Sequence, residues 1–302
     1  MRKVNLSIII LSYNTRSPLK QCLDSVGRGC KGVEGCEVIV VDNGSADGSV
    51  EEVRKFIKSV KSERTEILLI ENKENLGFAK GNNEGVKVAI GKYLFFLNSD
   101  TIVKNGAVCK LVDYLESHSE VAAVSPLLLN EDGSIQKDPC YLKFPTPIFV
   151  FFYYFKPFQK IVNRFFPKLI YSTLNFESPS LVDQLPGAAL MIRKQIFEKI
   201  GGFGENFPHF FEDVDLSYNL RRHGYKLFLV PQSKITHFGG KSLEPKIKKE
   251  GIESYYLLSF HGLFRFCEKN YSSLNCFLIK GIIFANLALK LRFDLIKKLY
   301  LK

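Results

Sequence analysis

Four short apolar runs, Val4 to Leu11, Val38 to Val41, Ile67 to Ile70 and Tyr93 to Leu97, each stop at a cluster of small polar residues. The first two are followed by segments whose apolar residues fall at helical spacing, Leu19, Cys22, Leu23 and Val26, then Val53 and Ile57. Strands that alternate with helices of this length predict an α/β fold built on a doubly wound, mostly parallel sheet. Parallel crossovers set the carboxyl ends of such strands along one edge, where ligands bind. Tyr13, Asp42, Asn75 and Asp100 are therefore expected to converge there, although they are far apart in the chain. The last run is the most telling. A strand buried on both faces delivers Asp100 to the sheet's mouth, as a group touching a metal or a phosphate needs; the same Asn98-Ser99-Asp100 also reads as an ordinary turn.

Local signals place the helix starts. Ser17 with Pro18 behind it reads as one cap, and Ser49-Val50-Glu51-Glu52 as a capping box. Val108, Leu111, Val112 and Leu115 mark a further helix before a strand at Val121 to Val124. With 302 residues, 46% of them hydrophobic, the chain can bury one large domain plus an appendage, or two modest domains. A net charge of +11 calls for an anionic partner, for which nucleic acid, anionic lipid and nucleotide phosphates all qualify. Seven cysteines without a Cys-x-x-Cys pair support neither a zinc site nor a disulfide framework, so a reducing cytosol is the simplest compartment. Arg2 and Lys3 precede an apolar run as in a signal peptide, but the run is short and contains Ser7, which suits a first strand.

The character changes from 139 to 171. Aromatic residues crowd around Phe149 to Phe155, then alternate with Lys156, Lys160, Arg164 and Lys168. The stretch is too short to span a bilayer, which takes roughly 20 residues, and it fits either a lipid interface or an excursion packed on the main domain. Beyond a strand entered at Pro186-Gly187, Glu212, Asp213 and Asp215 open a helix carrying Leu216 and Leu220 and closed by Gly224. One acid suffices to cap a helix, and three following directly on aromatic residues suggest chemistry. His237 lies in a polar loop after a strand at Leu227 to Val230; it reads as a packed histidine or as a metal or phosphate ligand. From Lys241 onward there are 12 Lys and Arg against 5 acids, mixed with Ile279, Ile282 and Ile283. That pattern fits an in-plane membrane helix or a docked helical pair with a solvated basic face.

Taken together, Ser12-Tyr13-Asn14, Val41-Asp42-Asn43-Gly44-Ser45, Asn75-Leu76-Gly77-Phe78-Ala79-Lys80-Gly81-Asn82-Asn83, Phe96-Leu97-Asn98-Ser99-Asp100, Leu185-Pro186-Gly187-Ala188 and Glu212-Asp213-Val214-Asp215 resemble the family 2 glycosyltransferases of GT-A fold, nearest to rhamnosyltransferase-like enzymes. The resemblance runs over about residues 4 to 242. It implies a GT-A domain at 1–242 and a basic amphipathic helical tail at 243–302. The implied reaction is inverting transfer of a sugar from a nucleotide diphosphate donor to a hydroxyl of a lipid-linked or glycan acceptor, with rhamnose as the family-level donor. By the same analogy Asp213 is the catalytic base, aided by Glu212 and Asp215 as neighbouring charges. Tyr13, Asn14, Asp42, Asn75, Lys80, Asn82, Asn98 and Glu212 would meet substrate, and Asp100 and His237 would hold Mg²⁺ or Mn²⁺. One departure stands out: Asn98 occupies the first place of the usual Asp-x-Asp metal motif and lends the ion no charge. The expected location is the cytoplasmic side of the plasma membrane, peripheral on an anionic surface, with no nucleic-acid partner. A sugar-nucleotide nucleotidyltransferase is a rival reading, against which Ser12-Tyr13-Asn14-Thr15 lacks a Gly-rich basic loop. A non-enzymatic basic binding module is another; the acids on the strand-end loops oppose it.

Overall fold

β-branched and aromatic residues buried on both faces make the strands. In the computed structural model β1 (Leu6–Ser12), β2 (Cys36–Asp42), β3 (Thr65–Glu71) and β4 (Tyr93–Asn98) run parallel in the order β3-β2-β1-β4. The structure describes residues 5–30, 32–59, 65–137, 140–173, 175–207, 209–240, 247 and 251–300. Register sets Ser12 opposite Asp42 and Leu11 opposite Asn98, so these strands end level. Three helices cross between them, α1 (Arg16–Gly29), α2 (Ser49–Ser59) and α3 (Phe78–Val88).

Two helix starts differ from expectation. α1 begins at Arg16 with Thr15 as its cap residue, because the Thr15 hydroxyl is engaged by Ser99 (2.8 Å) and Ser12 (3.1 Å). α2 is capped by Asp47, whose Oδ1 accepts from the Ser49 amide at 3.0 Å and hydroxyl at 2.6 Å. A third difference matters for function. The polar stretch expected as a loop after β3 is mostly α3, drawn against the sheet through Gly81 and Gly85. A Cβ at Gly81 would stand 2.5 Å from Leu11, and one at Gly85 2.7 Å from Ile9.

The second half continues with β5 (Thr101–Val103), α4 (Ala107–Ser117), β6 (Val121–Leu129), α5 (Pro147–Tyr154), α6 (Lys156–Phe165), β7 (Ser180–Leu181), β8 (Ala189–Arg193), α7 (Lys194–Lys199), α8 (Glu212–Arg222) and β9 (Lys226–His237). The sheet extends through β4-β8-β6-β9-β5, with β7 on β9. Long ladders are parallel, whereas β8, β5 and β7 pair antiparallel. β9 runs well past the expected Val230, so His237 closes a strand instead of lying in a loop.

Among the described residues, α9 (Ile252–Asn270), α10 (Ser273–Leu289) and α11 (Phe293–Tyr300) come next. Their apolar sides meet α5 in a second core that includes Phe149, Val150, Val162, Leu263, Ile279 and Ile283. The aromatic excursion and the basic tail, separate features in the sequence, thus bury each other. Asn286 of α10 donates to the Tyr154 carbonyl at 3.0 Å, satisfying a polar group in that core. The boundary at 242 and the start of the excursion at 139 fall outside the described residues. Among the described residues no helix is long and apolar enough to cross a membrane.

Asp215 ties the two cores together. Its buried carboxylate accepts from Lys269 Nζ at 2.7 Å and Asn270 Nδ2 at 2.8 Å, both on α9. Lys269 is half exposed, so Asp215→Ala leaves no buried cation behind. The expected loss is that of charge-assisted hydrogen bonds, about 1.5–3 kcal/mol, read from urea unfolding. An unchanged midpoint would show that α9 is held by apolar contact alone.

Candidate active site

The level strand ends open onto a cavity of about 1230 Å³. Pockets for one small molecule occupy ~300–1,000 Å³, so this one has room for two reactants. Three loops interlock at its sheet side. Asn14 holds a left-handed φ of +52°, which its short side chain offsets locally, and its Oδ1 accepts from the Ala46 amide at 2.8 Å. Its own amide donates to Ser45 Oγ at 2.9 Å. Asn43 Nδ2 in turn donates to the Gly77 carbonyl at 3.0 Å and to Asn75 Oδ1 at 3.3 Å. Tyr13, Asn14, Asn75 and Asn98 all line the cavity.

Asp42 is buried at the end of β2. Its Oδ2 accepts from the Ser45 amide at 2.8 Å, while its buried Oδ1 has no hydrogen-bond partner. Asp42 itself is not among the residues that line the cavity, and neither, contrary to expectation, are Lys80 and Asn82. Both are on α3; Asn82 turns inward and donates to the Phe78 carbonyl at 3.0 Å, and Lys80 faces outward. Burial of the Gly81 and Gly85 side of the helix against the sheet leaves no register in which either reaches the cleft.

Asp100 and His237 meet through strand pairing. β5 and β9 are antiparallel with Thr101 opposite His237, and the Phe238 amide donates to the Asp100 carbonyl at 3.0 Å. His237 Nε2 then stands 3.4 Å from Asp100 Oδ1. The imidazole is aimed by Gln136, whose Oε1 accepts from Nδ1 at 2.8 Å; Gln136 Nε2 is itself tied to Asn130 Oδ1 at 3.2 Å. With the proton on Nδ1, Nε2 presents a lone pair, and this buried atom makes no hydrogen bond. An orphaned imidazole nitrogen beside a carboxylate is a donor set that fits a divalent cation. Among the described residues no group of three or more His, Cys, Asp or Glu gathers, so further ligands would have to come from substrate or water.

Asp213 enters from another wall. Phe210 and Phe211 adopt left-handed φ values of +64° and +72°, a strained pair that turns the chain sharply into α8. Gly262 of α9 seats this turn: a Cβ there would stand 2.8 Å from the Phe210 carbonyl. Asp213 Oδ2 accepts from the Gly187 amide at 2.8 Å and Oδ1 from the Val214 amide at 2.8 Å. A Cβ at Gly187 would crowd Asp213 at 3.2 Å, which explains the glycine of Leu185-Pro186-Gly187-Ala188. Burial pushes the Asp213 carboxyl above its ordinary value, and the two amides pull it back. Glu212 is buried too, its Oε2 has no hydrogen-bond partner, and burial followed by the adjacent Asp213 charge pushes it up to about 8. The proton of the pair therefore resides on Glu212, leaving Asp213 the charge. Asp215, expected to press on Asp213, is occupied by α9 instead.

Other lining residues carried no sequence signal that tied them to the site. Gln136 looked like any surface glutamine, and Phe149, Tyr153 and Tyr154 of α5 with Tyr255, Leu258 and Leu263 of α9 form an aromatic and apolar far wall.

A profile described as "Glycosyl transferase family 2" matches residues 7–201. An N-acetylglucosaminyl-diphospho-decaprenol L-rhamnosyltransferase of Mycobacterium tuberculosis is 23% identical over 77% of this chain and 75% of its own. Rhamnosyltransferase WbbL of Escherichia coli K12 is 25% identical over 67% of this chain and 82% of its own. Among solved structures, the mannosyltransferase PcManGT of Pyrobaculum calidifontis, in complex with GDP-Man and Mn²⁺, superposes with a TM-score of 0.57. It is 15% identical, and the match covers 99% of this chain and 84% of that one. At that identity the likeness speaks for a shared GT-A fold.

The raised Glu212 value has a consequence for stability. The folded chain keeps a proton that the unfolded chain has lost, so stability falls as pH rises from the ordinary 4.5 towards about 8. Glu212→Gln removes this dependence. The variant should melt about 2 °C or more above the wild type at the alkaline end, with the difference closing towards the acid end. A constant difference across that range would contradict a buried, protonated Glu212.

Proposed function

The chain belongs to glycosyl transferase family 2, and from that premise we propose that it moves a sugar, with rhamnose the leading donor, from a nucleotide diphosphate to a hydroxyl of a lipid-linked glycan acceptor. The observation that carries this reading is one cavity lined by the interlocked loops, by Asp100 with His237, and by Asp213. The amphipathic acceptor is suggested by the decaprenol-diphosphate in the mycobacterial relative's name and by the aromatic far wall.

Each group has a part that its surroundings fit. Asp42 Oδ1, buried with no partner, accepts a hydrogen bond from the donor's base, and Tyr13, Asn14 and Asn75 border that end of the cleft. Asn98 meets a ribose hydroxyl. Asp100 Oδ1 and His237 Nε2 would hold a divalent cation, Mg²⁺ or Mn²⁺. When bound, such an ion offsets the negative charge that gathers on the departing diphosphate. Two protein ligands and one neutral Asn98 make a weak site, occupied chiefly when the diphosphate shares it.

Asp213 receives the proton of the acceptor hydroxyl as its oxygen attacks the anomeric carbon from the face opposite the leaving diphosphate. The new glycosidic bond forms as the carbon–phosphate-oxygen bond breaks, which inverts the centre. Two amides fix the carboxylate's orientation and leave lone pairs free. Burial raises its basicity above that of an ordinary carboxylate, and a well-placed base contributes ~10²- to 10⁴-fold. Glu212, protonated, keeps a second charge from competing with it. The acids around the cleft repel free polyphosphate, which argues against a nucleic-acid partner. The acceptor places the work at a membrane surface, on the cytoplasmic side.

Asp213→Asn should lower kcat by ~10²-fold or more while the thermal shift produced by nucleotide sugar with Mn²⁺ stays as in the wild type. Loss of that shift would move Asp213 to donor binding. Gln136→Leu strips His237 of its orienting acceptor and should raise the Mn²⁺ concentration that gives half the thermal shift by ~10-fold or more. No change there, or full transfer in excess EDTA, would remove the metal from the scheme.

A further inference from the structure

The stretch 156–170 carries Lys156, Lys160, Arg164 and Lys168 and not one acid. Within it, Phe158, Ile161 and Phe165 of α6 are 45, 53 and 64% exposed. These positions follow one another at intervals of three or four, which places them on one stripe. Among the described side chains of the helix only Val162 is buried, joining the second core and so fastening α6 to the body of the protein. Lys160 and Arg164 are exposed alongside, and the Arg164 guanidinium lies 5.7 Å from the centre of the Phe165 ring. Three large apolar side chains aimed at water are costly unless something covers them.

We infer that α6 lies in the plane of an anionic lipid surface and thereby brings the aromatic wall of the cavity close to that surface. Aromatic rings at the headgroup boundary with cations beside them are what such an interface binds, each Lys or Arg adding about 1 kcal/mol. Charge decides against the other occupants. A second copy would set an all-basic stretch of one +11 chain against another, with no acid in 156–170 to receive it. A nucleic acid would satisfy the cations and leave the apolar stripe wet. The placement also serves the site. α6 follows α5 directly, with Phe155 ending one helix and beginning the other, and α5 lends Phe149, Tyr153 and Tyr154 to the cavity wall. A hydroxyl carried on a membrane lipid then reaches Asp213 past aromatic side chains without leaving the interface. This inference rests on the lipid-linked acceptor proposed above and names the element that meets the lipid.

The test is co-sedimentation with vesicles of phosphatidylcholine alone and of phosphatidylcholine mixed with phosphatidylglycerol. The full chain should pellet with the mixed vesicles only. The apolar variant F158S/I161S/F165S and the charge variant K160E/R164E should each bind roughly tenfold or more weakly. Both should keep the wild-type melting temperature and the wild-type thermal shift with nucleotide sugar, because neither touches the cavity. L274S/F277S, on the exposed start of α10, should bind as the wild type does. Variants of α6 that pellet undiminished would overturn the inference. So would a wild type that binds both vesicles equally or neither, or one that is dimeric in solution and becomes monomeric in the apolar variant. Loss of the nucleotide-sugar shift in the wild type would instead overturn the transferase reading and leave the docking result standing.

Discussion

Everything in the cleft depends on strands that stop at the same height. Hydrogen-bond register between parallel strands is rigid, and here it sets Ser12, Asp42 and Asn98 side by side at one edge. Small polar residues at those ends let backbone and side chain bond from one loop to the next, Asn14 to Ser45 and Asn43 to Asn75. The loops therefore behave as one surface. A one-residue slip in any ladder would turn its terminal side chain to the other face of the sheet and dissolve the arrangement.

Charge separation within the cleft follows from local burial and hydrogen bonding. Glu212 and Asp213 are adjacent, and two carboxylates so placed do not both ionise readily. Amides from Gly187 and Val214 reward charge on Asp213, whereas Glu212 Oε2 has no partner, so one acid holds the charge and the other is kept neutral. On the opposite side, Gln136 settles which nitrogen of His237 is free. Neither effect requires a large element to move; each is an orientation fixed by one neighbour.

The carboxyl-terminal helices are part of this machinery. Gly262 seats the strained Phe210-Phe211 turn that presents Asp213, Lys269 and Asn270 anchor Asp215 two residues further on, and Tyr255, Leu258 and Leu263 wall the cavity. Their packing with α5 joins the aromatic stretch to the basic tail, so that the surfaces left exposed are narrower than composition suggests.

The strands, their order of appearance and the acids at their ends could be read from the chain alone, because burial on both faces leaves a continuous apolar run and a carboxylate after such a run has few structural uses. Asp42 and Asp100 stood out as candidates for that reason, and Asp213 because three acids follow directly on aromatic residues. Lys80 and Asn82 were misplaced because glycine spacing that pulls a helix onto a sheet looks, in a sequence, like loop composition. Gln136 was invisible, since orienting a histidine from 101 residues away leaves no local pattern. What only the tertiary structure decided was which distant groups touch. The antiparallel pairing of β5 with β9 set His237 beside Asp100, and the docking of α9 took Asp215 out of the site. Both are outcomes of long-range packing, whose partners a linear pattern of polarity does not specify.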